Sequence, residues 1–206
     1  LYLYLQKRIL NSSSLLRCKN LFIIQLYIVN EYVRSRKSGD SQGLGNSKMD
    51  GKMILSDILI PEAVLPCIRT GSKKRLLQEL SVNIASVYNL DQSEVFSALQ
   101  DRESLGSTGM GHGVAIPHAR INSIESILGF FARLAKPIDF DAADSQCVDL
   151  VFVLIAPYES GASHLKALAK VSRLLRNRSI CEKLRSTIDK SALFSILTTD
   201  AETQAA

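Results

Sequence analysis

Residues 104–120 read Ser-Leu-Gly-Ser-Thr-Gly-Met-Gly-His-Gly-Val-Ala-Ile-Pro-His-Ala-Arg. Four glycines (Gly106, Gly109, Gly111 and Gly113) lead into the apolar run Val114-Ala115-Ile116, which stops at Pro117 and presents His118. Glycine permits positive φ and lets backbone N–H groups approach an anion closely. Proline fixes its own φ and holds Ile116 extended, so His118 is expected at a strand exit and not inside a helix. A neutral imidazole nitrogen placed there can attack phosphorus and hold the group in a P–N bond labile enough to pass on. Such a transfer needs donors around the three equatorial phosphoryl oxygens. The backbone of Gly109 to Gly113 and the hydroxyls of Ser107 and Thr108 can supply them, and the same residues suit a turn that only shapes the end of the strand.

Other chemistries fail on their spacing. The run from Gly109 through Gly111 to Val114 lacks the last glycine of a dinucleotide fingerprint. Gly106 and Gly111 are followed by His112 and Gly113, where a Walker A loop needs Lys and Ser or Thr. The three histidines, His112, His118 and His164, are scattered and give no metal-ligand spacing. The four cysteines (Cys18, Cys67, Cys147 and Cys181) form no C-x-x-C pair, which excludes a cysteine zinc site and fits a reducing, cytoplasmic compartment.

Leu105-Gly106-Ser107-Thr108-Gly109 through Ile116-Pro117-His118, preceded by Arg102-Glu103-Ser104, resembles the active-site signature of phosphotransferase-system IIA domains of the fructose–mannitol type. The resemblance runs from about Ile54 to Thr199 and is strongest to the nitrogen-regulatory branch of that family. It implies that His118 is the phosphohistidine and that His164, in Ser163-His164-Leu165-Lys166, is the second histidine, which bonds phosphate oxygens or orients the first. It also implies that Arg102 grips the phosphoryl group, a task suited to its planar fork of donors. Ser107, Thr108, Gly109 and Gly111 are the expected phosphate-binding residues. His112 lies where relatives vary and carries no assigned role. The implied function is that of a phosphocarrier charged by a phosphorylated HPr-like protein, with a regulatory output on protein targets and no cofactor or metal. The alternative is a sugar-specific IIA component that hands phosphate to a IIB domain.

Elements that must position these residues are visible on either side. Glu62 to Ile68 has the look of a first strand, irregular or at an edge because of Pro66. Ser72 is a good N-cap for a helix with Leu76, Leu77, Leu80, Ile84 and Val87 on one face, and Asp91 with Glu94 opens a second. Ile127 to Leu134 and Val148 to Ile155 are apolar runs; the latter is expected to be a central strand covered on both faces. The C-terminal third is helical, with Ser179 and Glu182 capping one helix. The class is α/β in three layers, and the resemblance implies a mixed sheet with helices on both sides.

Charge divides the chain. Residues 1–48 hold eight Lys/Arg and two Asp/Glu, whereas residues 49–206 hold seventeen and eighteen. The net charge of +5 therefore belongs to the N-terminal segment, and the remainder gives no general case for nucleic-acid binding. The apolar run Leu21 to Val29 is broken by Gln25 and too short to span a bilayer, so no stable membrane insertion is expected. Residues 35–48 read as a linker, and Met49 is the first methionine. Residues 1–48 are thus expected to be an extension or an upstream-translated segment and 49–206 the IIA domain. Arg173, Arg176, Arg178, Lys183 and Arg185 form a basic patch suited to a solvated face or an acidic protein partner.

Overall fold

Strand β6 (Val148–Pro157) is buried along nearly its whole length, as expected of an apolar run that must be covered on both faces. The computed structural model describes residues 54–199; the expectations for residues 1–48 and for Cys18 lie outside that range. Along one edge β6 pairs antiparallel with β5 (Leu128–Ile138), which pairs parallel with β1 (Val64–Ile68). Along its other edge β6 receives two short parallel strands in series, β3 (Val114–Ala115) and β4 (His118–Ile121). Strand β2 (Gly109–Gly111) closes the sheet antiparallel to β3. The order is β1-β5-β6-β3-β2, with β4 continuing β3 along β6. As Pro66 suggested, β1 is an edge strand, and its register slips between Leu65 and Ile68.

Pro117 splits what would otherwise be one strand from 114 to 121. Its carbonyl still accepts from the Leu154 N–H at 3.0 Å. Lacking an N–H, it returns no bond to β6, and the ladder lapses for two residues. His118 therefore opens a second strand segment and does not sit at a strand exit. The break is held on its outer side by the Ile116 N–H, which donates to the Thr108 carbonyl at 3.0 Å.

Helices α1 (Lys73–Tyr88) and α2 (Gln92–Ser104) pack on each other, and α2 packs on β4. Ser72 caps α1 by accepting from the Arg75 N–H, and Asp91 caps α2 by accepting from Glu94. On the C-terminal side α3 (Gly161–Leu175), α4 (Arg178–Ser186) and α5 (Lys190–Thr198) follow in succession. Asn177, not Ser179, caps α4: the helix starts at Arg178, so the amides of Ser179 and Ile180 are donors, and the Asn177 side chain accepts from both. The result is the three-layer α/β/α arrangement expected, with a core that includes the tilted Phe131–Phe152 pair, ring centroids 6.5 Å apart. Among the described residues no helix is long and apolar enough to cross a membrane.

The glycine run turns out to be a β-hairpin. His112 (φ +54°) and Gly113 (φ +78°) form the two-residue turn between β2 and β3, both in the left-handed region that a type I′ turn requires. Arg185 of α4 clamps this turn. Its fork grips both carboxylate oxygens of Asp149 at 2.7 and 2.8 Å, and Nη2 also donates to the His112 carbonyl at 2.8 Å. A Cβ on Gly113 would lie 2.5 Å from Arg185 Nη2 and 2.9 Å from Asp149 Oδ1. Gly113→Ala should therefore lower stability by at least about 1 kcal/mol. Gly71→Ala, with open space around its Cβ, should change it by less than about 0.5 kcal/mol. Urea unfolding of the two variants checks this, and equal effects would contradict it.

Candidate functional site

Burying His118 at the start of β4 leaves its ring with two fixed neighbours. Nδ1 lies 2.9 Å from the carbonyl of Ile116, two residues back across the proline. A carbonyl can only accept, so Nδ1 carries the proton and Nε2 the lone pair. Arg102, in the last turn of α2, donates from Nε to that lone pair at 3.0 Å, and its Nη1 donates to the Gly106 carbonyl at 3.0 Å. The tautomer is thus set from both sides by groups that can each play only one part.

His164 approaches from the first turn of α3. Its ring centroid is 5.6 Å from that of His118, with the planes tilted by 50°. Among the described residues, neither of its buried ring nitrogens has a hydrogen-bond partner, and nor does the buried Nη2 of Arg102. Buried polar atoms are normally satisfied, and three orphans around one imidazole mark a place where a polar group belongs. All three residues line a cavity of about 840 Å³, together with Arg120, Leu105 and Tyr158.

Electrostatics keep both imidazoles neutral. Burial, reinforced by the neighbouring Arg102 guanidinium, pushes His118 down to about 3, against the opposing bond to Ile116. Burial, then Arg120 and Arg102, push His164 down to about 4. The site therefore concentrates fixed positive charge from arginines around two uncharged acceptors, which suits an incoming anion and a nitrogen nucleophile.

The structure brings together Arg102, His118 and His164. It does not bring the four remaining candidates to them. The Ser107 hydroxyl donates to the Phe140 carbonyl at 2.8 Å and accepts from the Gly109 N–H at 3.1 Å. The Thr108 hydroxyl and amide are both spent on the carboxylate of Glu103. Gly109 packs against Ala142 and Gly111 against Asp144. For Gly111 the register explains this: its partner Val114 meets β6 at Leu150, whereas His118 meets it at Leu154. Four residues of strand put the turn end of the hairpin roughly 13 Å away along β6. For the same reason His112 is not beside His118 but lines a separate cavity of about 280 Å³ with Arg176, Arg178 and Arg185.

Arg120 was missed as a site residue. The signal was there in the period of a strand, since His118 and Arg120 stand two apart and so share a face.

A family model described as "Phosphoenolpyruvate-dependent sugar phosphotransferase system, EIIA 2" matches residues 57–199. The chain belongs to this family. A nitrogen regulatory protein of Bradyrhizobium diazoefficiens is 49% identical over 145 residues, covering 70% of this chain and 95% of the relative. One from Escherichia coli is 37% identical over 151 residues, covering 72% and 92%. The crystal structure of the nitrogen regulatory protein IIA-Ntr from Neisseria meningitidis superposes with a TM-score of 0.67 at 36% identity, covering 70% of this chain and 99% of that one. The IIA fold is thus shown by sequence and by shape together.

Two depressed histidines fix the sign of a pH effect. Above about 6.5 both are neutral folded or unfolded; as pH falls below it, the unfolded chain takes up protons that the folded IIA domain refuses. Stability should therefore decline from pH 6.5 towards 4, and NMR at pH 5 should find both rings uncharged. Titration of both near 6.5 would contradict the burial described.

Proposed function

We propose that this IIA domain is a phosphocarrier of the nitrogen-regulatory kind, with Nε2 of His118 as the acceptor. One observation carries the proposal: the Ile116 carbonyl claims Nδ1–H, which leaves the Nε2 lone pair facing Arg102 in the cavity. A phosphorylated HPr-like protein is the donor. The Nε2 lone pair attacks phosphorus, a P–N bond forms, and the donor's own P–N bond breaks with its electron pair returning to the donor imidazole. Nδ1 keeps its proton throughout, and the charge that develops on His118 lies against the Ile116 carbonyl.

Arg102 occupies the lone pair before transfer, so it must yield that contact and turn its donors to the phosphoryl oxygens. Its unpartnered Nη2 has that capacity already. Neutral His164 donates one ring N–H to the same group, and Arg120 adds long-range charge from the adjoining strand position. The site is a positioned, partly dry pocket of donors, which is most of what phosphoryl transfer needs.

The relatives of high identity and coverage bear the nitrogen-regulatory name, and this supports an output through protein targets. A phosphoryl group at the mouth of the cavity adds about two negative charges near exposed Leu105 and Tyr158, enough to make or break an interface there.

The test is transfer from phosphoenolpyruvate through enzyme I and an HPr-type carrier. Wild type should acquire an acid-labile, base-stable label that His118→Ala lacks. Arg102→Ala should still label, with a rate reduced about 100- to 1,000-fold. Labelling of His118→Ala would move the acceptor to another residue, and no label on wild type with an active donor would overturn the carrier proposal.

A further inference from the structure

Glu103 does not line the cavity, yet the two hydrogen-bond partners described for the His118 nitrogens, the Ile116 carbonyl and Arg102, are both held by the turn that its carboxylate anchors. The side chain is 6% exposed. Oε1 accepts from the Thr108 N–H at 2.9 Å and from Lys73 Nζ of α1 at 2.8 Å, while Oε2 accepts from the Thr108 hydroxyl at 2.5 Å. A carboxylate held by three donors, one of them an ammonium, makes strong, short bonds.

Two chains of contacts leave this anchor. Through Thr108, whose carbonyl accepts the Ile116 N–H, it fixes the residue Ile116, whose own carbonyl accepts His118 Nδ1–H. Through the turn 105–108 it fixes Gly106, whose N–H donates to the Glu103 carbonyl at 3.2 Å and whose carbonyl accepts from Arg102 Nη1. The first chain sets the tautomer of His118, and the second sets Arg102 against Nε2. Lys73 completes the anchor: it also bonds Asp141 at 3.0 Å and lies 4.8 Å over the Phe140 ring.

We infer that Glu103 is a positioning residue for phosphoryl transfer, pinning the turn 105–108 so that the Ile116 carbonyl and the Arg102 guanidinium address opposite nitrogens of His118 together. The inference rests on the phosphocarrier function proposed above. Glu103→Gln keeps the shape but replaces one acceptor oxygen with an amide donor facing groups that are themselves donors. Misplacing a reacting group by about 1 Å costs on the order of 100-fold in rate.

Two measurements test it on the full chain. In transfer from a phosphorylated HPr-type carrier, Glu103→Gln should lower kcat by about 10- to 100-fold per folded molecule. KM for the carrier should stay within about twofold, because the buried side chain is out of the donor's reach. Thr108→Val, which removes only the hydroxyl bond, should show a smaller fall in the same direction and serves if Glu103→Gln does not fold. Independently of any transfer, ¹⁵N NMR of the unphosphorylated protein should show a single Nδ1–H tautomer of His118 in wild type and a mixture of tautomers in both variants. Lower melting temperatures with unchanged kcat and an unchanged tautomer would overturn the inference and leave Glu103 with folding alone. If wild type is not phosphorylated at all, the carrier function fails, and the tautomer measurement still decides for or against the positioning role.

Discussion

One hydrogen bond governs the site: His118 Nδ1–H to the carbonyl of Ile116. It spans a proline, and the proline is what makes it available. In an unbroken strand that backbone would run in a regular ladder with the next strand out. At Pro117 the ladder with β6 lapses, the antiparallel β2 reaches back only to Gly109 opposite Ala115, and the Ile116 carbonyl is left to the ring of the residue two places on. Backbone carbonyls cannot change role, so the tautomer is settled by covalent chemistry and not by a titratable neighbour. All that follows, including the Nε2 lone pair that faces the cavity and the use of a permanently charged arginine as its partner, depends on that assignment.

The second constraint is desolvation. Burying two imidazoles beside arginine makes the protonated forms expensive, so the site holds its positive charge on guanidinium groups alone. An arginine cannot give up its proton to the chemistry, which makes it a stable counter-charge for an anion and leaves the neutral histidine as the nucleophile of the proposed transfer. Three unpartnered buried atoms, Arg102 Nη2 and both ring nitrogens of His164, are the cost of keeping such a place ready. A phosphoryl group with three oxygens has the acceptors to satisfy Arg102 and one nitrogen of His164 at once.

Much of this was legible in the residues. The burial of Val148–Pro157, the caps at Ser72 and Asp91 and the edge position of β1 all follow from local pattern, because each depends on neighbours within one turn or one strand. The resemblance pointed to Arg102, His118 and His164, and the structure brings these three side chains together. What misled was the glycine run. Glycines beside a histidine suggest an anion cradle, but Gly113 and His112 supply the positive φ of a tight turn, and the Arg185–Asp149 clamp that explains it comes from α4 and β6. The roles of Thr108 and Arg120 were hidden for the same kind of reason: one depends on a buried carboxylate five residues back, the other on which face of β4 meets the cavity.

The central claim is that geometry, not chance, selects Nε2. The direct measurement is ¹H–¹⁵N long-range correlation with ³¹P coupling on the phosphorylated domain. Phosphorus coupled to Nε2 of His118, with Nδ1 still protonated, is the predicted result. Phosphorus on Nδ1 would contradict the account, because it would require the Ile116 hydrogen bond to be broken for the reaction to occur.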